Sequence, residues 1–168
     1  MEPSPRNHTY WSFIDQVGDH LAKHSSTPID VEATLLAMSL NRVSVAMTHG
    51  FESKVHRPAG SSWAAYRVLF ALWHSGATSA SSLANITGMT RAAVSNISKP
   101  LEAKGFITRA KDPKDGRGTL VELTQDGTDF ISTIFTQQNQ LETQWAKKLT
   151  PVERTMLVEL LHKLSAQA

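Results

Sequence analysis

Arg91, Ser95, Asn96 and Lys99 carry donors and acceptors of the kinds that can meet base edges and phosphates, and their spacing sets them on one polar face of a helical run. Arginine matches the two acceptors of guanine, and asparagine matches the donor–acceptor pair of adenine. Lys99 lies further from the N-terminal end and is placed to reach phosphate. Ser82 and Thr90 could donate to the nucleic-acid backbone, although helix capping alone explains either hydroxyl. A second basic group occupies Asp112-Pro113-Lys114-Asp115-Gly116-Arg117-Gly118, a stretch dense in turn formers that presents Lys114 and Arg117 at an exposed tip. A thin basic projection beside a polar helix suits a duplex, with the helix in the major groove and an arginine in the minor groove. Lys114 is assigned to phosphate, which adds affinity without sequence information.

Two helices and a hairpin must position these side chains. The residues from Ser79 to Ile86 read as a short helix, and Thr87-Gly88-Met89 as its exit turn, with Gly88 suited to the left-handed conformation that closes a helix. Thr90 then stands as the N-cap of a helix running from Arg91 to Lys104. Its other face gathers Val94, Ile97 and Leu101 at spacings of three and four. After Gly105, residues 106–111 and 119–124 contain β-branched residues in partial alternation, as strands do. Helix, turn, helix and hairpin is the layout of a winged helix-turn-helix. Pro100 lacks an N–H and crowds the carbonyl near Asn96, which predicts a kink that re-aims the DNA-reading half of its helix.

At this point the sequence resembles the MarR family of bacterial transcription regulators. The resemblance is carried by Leu101-Glu102-Ala103-Lys104-Gly105-Phe106-Ile107, by Asp112-Pro113-Lys114-Asp115-Gly116-Arg117, and by Leu123-Thr124-Gln125-Asp126-Gly127. The family's wing has an Asp-x-Arg element followed by Leu-Thr-x-x-Gly, and both occur here at the expected separation. By element order the likeness covers roughly residues 29–166, with close motif matches at 79–127. It implies a homodimer that binds pseudo-palindromic operator DNA and is often released by a small molecule. It also implies that Arg117 enters the minor groove, with Asp115 bracing it through a hydrogen-bonded ion pair. Pro100 departs from what this helix usually tolerates, which weakens the transfer of Lys99 more than that of Arg91.

Composition narrows the alternatives. The chain has 168 residues with 17 Lys+Arg against 15 Asp+Glu, a net charge of +2, too mild to argue for nucleic acid by itself. Between Arg91 and Gly118, however, seven basic residues face three acidic ones. The absence of cysteine excludes disulfides and a thiol-based peroxide switch. No apolar run approaches a membrane span and no signal peptide opens the chain, so a cytoplasmic location is expected. There is no glycine-rich phosphate loop, cysteine nucleophile or Gly-x-Ser-x-Gly elbow, so an enzyme is not expected. Neither is a cofactor. His49 and His56 are seven apart on a long helix, but a metal site needs three or four converging ligands, and none is assigned. Trp63, Tyr66, Trp73 and His74 are the candidates for an effector pocket, although aromatics on a buried helix are more often plain core.

Apolar periodicity fills in the rest. Tyr10, Ile14, Val17 and Leu21 mark an amphipathic helix that Gly18 weakens; this extension is expected to pack on a partner subunit. Thr27 and Pro28 read as a helix start, followed by a stripe from Ile29 to Phe51 that ends at Arg57-Pro58-Ala59-Gly60. Residues 62–74 are apolar nearly all round and should form a central helix. Thr124 caps a further helix, and Thr150-Pro151-Val152-Glu153 matches a capping box before the last one. The predicted fold is mainly α with a small β-hairpin wing. It comprises an extension at 1–28, a helical dimerisation region at 29–60 and 125–168, and a winged helix-turn-helix at 61–124. The expected function is a homodimeric, sequence-specific transcriptional regulator, most simply a repressor released by an effector. The alternative is an architectural DNA-binding protein without operator preference.

Overall fold

The computed structural model describes residues 10–24, 29–111 and 119–166. Thr27, Pro28, Lys114, Asp115 and Arg117, all assigned roles from the sequence, lie outside the described residues. The helices are α1 (Tyr10–His24), α2 (Val31–Phe51), α3 (Trp63–Ser75), α4 (Ala80–Thr87), α5 (Arg91–Ala103), α6 (Gln125–Ala146) and α7 (Pro151–Ser165). The strands are β1 (Thr78–Ser79), β2 (Ile107–Lys111) and β3 (Thr119–Leu123). The fold is therefore mostly helical with a small antiparallel sheet, as the sequence predicts. The chain divides into two compact units, residues 1–49 and 50–168.

In the first unit, α1 lies along α2 of its own chain. The Tyr10 hydroxyl donates to the Met38 carbonyl at 2.8 Å, and the Arg42 guanidinium sits 4.8 Å above the Tyr10 ring. Ile14 and Gly18 are buried, with Gly18 against Leu35 and Val31. The first half of α2 thus offers α1 a surface within the same chain. Asp30 supplies a cap for α2, its carboxylate accepting from the Ala33 N–H at 2.9 Å.

The second unit is built around α3. Ser62 caps it by accepting from the Ala65 N–H, and Ala65, Tyr66, Val68, Leu69, Ala71 and Leu72 are buried. Leu83 and Ala84 of α4, Val94 and Leu101 of α5, Ile107 and Val121 of the sheet, and Ile131 and Ile134 of α6 close the same core. Each large apolar side chain fully buried there contributes about 1.5–3 kcal/mol. Before α3, residues Glu52–His56 form a π-helical turn in which the Arg57 N–H donates to the Glu52 carbonyl five residues back.

The sheet has the order β1–β3–β2. In β2–β3 pairing, Ile107 lies opposite Leu123 and Lys111 opposite Thr119. Only Ile107 of β2 is buried, so the hairpin leaves the core immediately after its root. The two-residue strand β1 pairs Thr78 with Val121 and takes Ser79, where the sequence reading starts the helix. Two residues are too few for alternation to show.

Candidate nucleic-acid interface and ligand cavity

The helix-turn-helix is set by its caps. The Ser79 hydroxyl accepts from the Ser82 N–H at 3.2 Å and starts α4. Gly88 ends it in the left-handed region (φ 64°, ψ 28°), while the carbonyls of Ala84 and Asn85 accept from the turn that follows. Thr90 caps α5 by accepting from the Ala93 N–H at 3.1 Å. Ser82 is thus not the cap of α4. Its exposed hydroxyl instead takes a hydrogen bond from that of Ser79 at 3.1 Å.

Along α5 the two faces separate as expected. Val94 and Leu101 are buried, whereas Arg91, Asn96 and Lys99 are exposed and Ser95 is half-buried. Sequence reasoning missed that Ser98 also belongs to the buried face, its hydroxyl donating to the Val94 carbonyl at 2.8 Å. The helix does not stop at Pro100 but runs on to Ala103, with Pro100 exposed.

Two of the basic residues counted toward the local surplus are tied down within the chain. Arg109 of β2 pairs with Glu102 of α5 at 3.0 Å. Lys104 donates to the Gly60 carbonyl at 2.7 Å. Both contacts link the end of α5 to a neighbouring element, so they hold the helix and the root of the wing in one orientation. Exposed contacts of this kind are individually worth less than about 1 kcal/mol, and their role is geometric. Neither could be read from spacing, since the partners come from different elements.

A cavity of about 490 Å³ lies against α3, α4 and α6. Trp63, Tyr66 and His74, three of the four aromatic candidates, line it. Trp73 does not; it packs against Phe70 and Phe135 instead, with ring centroids 6.2 and 5.5 Å away. The remaining wall includes Arg67, Phe70, Thr87, Phe135, Gln138 and Glu142. Phe135 and Gln138 come from α6, and nothing local in the sequence marks either as facing a cavity rather than a helix. His56 is completely buried beside the rings of Trp63 and Tyr66. Burial holds its pKa below the ordinary 6.5, against the opposing influence of Glu52 and the Gln138 side chain. His49 is exposed.

The geometry is that of a winged helix-turn-helix beside an open cavity, and the comparisons with known proteins agree on the fold. The MarR family profile matches residues 62–119. The multiple antibiotic resistance protein MarR of Salmonella typhimurium is 30% identical over 59% of this chain and 69% of its own length. The chain belongs to the MarR family. A second relative is the uncharacterized HTH-type transcriptional regulator YwaE of Bacillus subtilis, 28% identical over 95% of both chains. Among solved structures, BpsR of Bordetella bronchiseptica superposes with a TM-score of 0.70 at 28% identity, covering 77% of this chain and 98% of that one. That structure concerns regulation of DNA binding by 6-hydroxynicotinic acid. This MarR-family chain is accordingly a transcriptional regulator with a winged-helix DNA-binding fold, and not an enzyme. Among the described residues, no helix is long and apolar enough to cross a membrane.

Proposed function

We propose that the protein acts as a homodimer that binds a pseudo-palindromic operator, represses transcription there, and is released by a small-molecule effector. The observation that carries this reading is the exposed polar face of α5, which offers Arg91, Asn96 and Lys99 on a helix whose opposite face is locked into the core. In this reading Arg91, Ser95 and Asn96 contact base edges, while Lys99, Lys114, Ser82 and Thr90 contact the phosphate backbone. Arg117, braced by Asp115, reaches the minor groove. Residues 61–124 are the DNA-binding region, and residues 29–60 with 125–168 are the dimerisation region. Two-fold symmetry would set the recognition helices about one turn of duplex apart, ~34–36 Å. The cavity beside α4 is the effector site, and the ligand-regulated DNA binding of BpsR supports it by analogy.

Selection of bound duplexes from a random pool at near-physiological salt tests the proposal. Wild type should enrich a two-fold symmetric motif, and Arg117→Ala and Asn96→Ala should weaken that enrichment at different positions of the site. Binding without enrichment, lost steeply as salt rises, would instead identify an architectural protein.

A further inference from the structure

Arg67 is the only Lys, Arg, Asp or Glu of α3. Its neighbours Tyr66 and Val68 are buried, so the backbone that carries it is fixed in the core. The side chain itself is half-buried and lines the cavity against α3, α4 and α6. A cation so placed ordinarily has an acid beside it. Among the described residues Arg67 has no ion pair. Glu142, the acid of the same lining, is taken by neutral amides: its carboxylate accepts from Gln138 Nε2 at 2.7 Å and from Asn139 Nδ2 at 3.1 Å.

What the guanidinium meets is the turn between α4 and α5. One of its terminal nitrogens lies 3.7 Å from where a Cβ on Gly88 would stand. Gly88 is left-handed and closes α4; its N–H and that of Met89 donate to the carbonyls of Asn85 and Ala84 at 3.3 and 3.0 Å. The carbonyls of Ile86 and Thr87 accept from no backbone N–H among the described residues. The negative end of α4 is therefore only partly closed by backbone, and the Arg67 cation stands beside it, where a helix terminus favours positive charge. Thr90 and then Arg91 follow directly, so the path of this turn sets the direction in which α5 sets out.

We propose that Arg67 is a positioning residue for DNA recognition: from the cavity wall its guanidinium holds the α4–α5 turn and so sets the angle at which α5 is presented. The side chain acts through the turn and touches neither base nor phosphate. That this angle serves DNA rests on the operator-binding reading, so one arm of the test leaves DNA out. Hydrogen exchange on the full chain compares wild type with Arg67→Gln and Arg67→Lys. In Arg67→Gln the amides of Gly88 and Met89 should exchange roughly three- to tenfold faster while those of α3 keep their rates. Arg67→Lys, which keeps the charge, should fall between. Unchanged exchange at the turn, an equal acceleration along α3, or a lysine variant as fast as the glutamine one would overturn the proposal. On operator DNA, Arg67→Gln should lose affinity by a similar factor, bind scrambled duplex as wild type does, and keep the wild-type dependence on salt, since it neutralises no phosphate. A salt slope lowered by about one would make Arg67 a phosphate contact and overturn the positioning role. So would a loosened turn with operator affinity unchanged. Wild type that binds no operator, with the exchange result intact, would overturn only the operator-binding reading and still support the hold of Arg67 on the turn.

Discussion

Gly127 shows how one residue fixes the position of a helix. The first turn of α6 lies so close to the loop before β2 that a Cβ on Gly127 would overlap the Phe106 carbonyl. That same carbonyl accepts from the Thr124 N–H at 3.1 Å, so it cannot retreat without breaking the entry into α6. Gly127→Ala is expected to cost roughly 2–4 kcal/mol, read as a lower denaturant midpoint at unchanged slope. Gly18 is the opposite case. Its backbone is helical, and a Cβ there would meet Leu35 at an ordinary 3.5 Å. Gly18→Ala should therefore raise stability, by up to about 1 kcal/mol from helix propensity alone. A drop in melting temperature would show that α1 and α2 pack more tightly than this. On the DNA side, Asn96 and Arg91 stand exposed, and among the described residues no ion pair holds either. Changing either to Ala should cost about 1–3 kcal/mol on operator and far less on scrambled duplex. Equal losses on both would reduce these residues to phosphate contacts.

At the scale of elements, what could be read from the sequence was whatever a short window determines. Thr90, Thr124 and the Thr150–Glu153 capping box stand where their helices begin, and Gly88 closes α4 as its type implies. Relations between distant windows were not legible. The seat of α1 on α2, the Glu102–Arg109 and Lys104–Gly60 ties, and the cavity wall shared by α3 and α6 all depend on pairs far apart in sequence. His56 belongs to this second class. Its neighbours are Glu52 in its own turn, Tyr66 on α3 and Gln138 on α6. Because its folded pKa lies below 6.5, the unfolded chain takes up a proton first as the solution is acidified. The stability gained from keeping it neutral is complete above about pH 6.5 and declines below it. His56→Gln should flatten the pH dependence of unfolding just below 6.5, whatever it does to the absolute stability. Glu153 acts in a lower window. Its carboxylate accepts from the Thr150 N–H and hydroxyl at 2.7 and 2.8 Å, which holds its pKa below the ordinary 4.5. That contribution is present above pH 4.5 and is lost as pH falls through the folded value, so the two residues can be separated by titration.

For the whole molecule, the decisive feature is α7. Every residue of this helix is exposed, including Val152 at 71% and Met156, Leu157, Val158, Leu160, Leu161 and Leu164 at 42–56%. A well-capped helix with seven half-exposed aliphatic side chains is unfavourable in water, and burying the exposed part of each would contribute roughly half of the 1.5–3 kcal/mol of full burial. Summed over the helix, that is on the order of 5–10 kcal/mol, comparable to an association cost of about 4–15 kcal/mol. A second copy of the same helix is the simplest cover, because a two-fold axis lets one apolar stripe serve both sides of the interface. Light scattering on the full chain should then give twice the chain mass. Leu157→Glu combined with Leu161→Glu should give the single-chain mass while leaving the helical signal nearly unchanged. The variant should also bind a half-site about as well as wild type does, yet lose at least tenfold on the full operator, since only a dimer engages both halves at once. If the variant keeps the dimer mass, the interface lies elsewhere and α7 must be covered by a different partner. If it becomes monomeric with operator affinity intact, symmetry is not the source of specificity, and the burden of recognition falls on α5 and the wing of one chain.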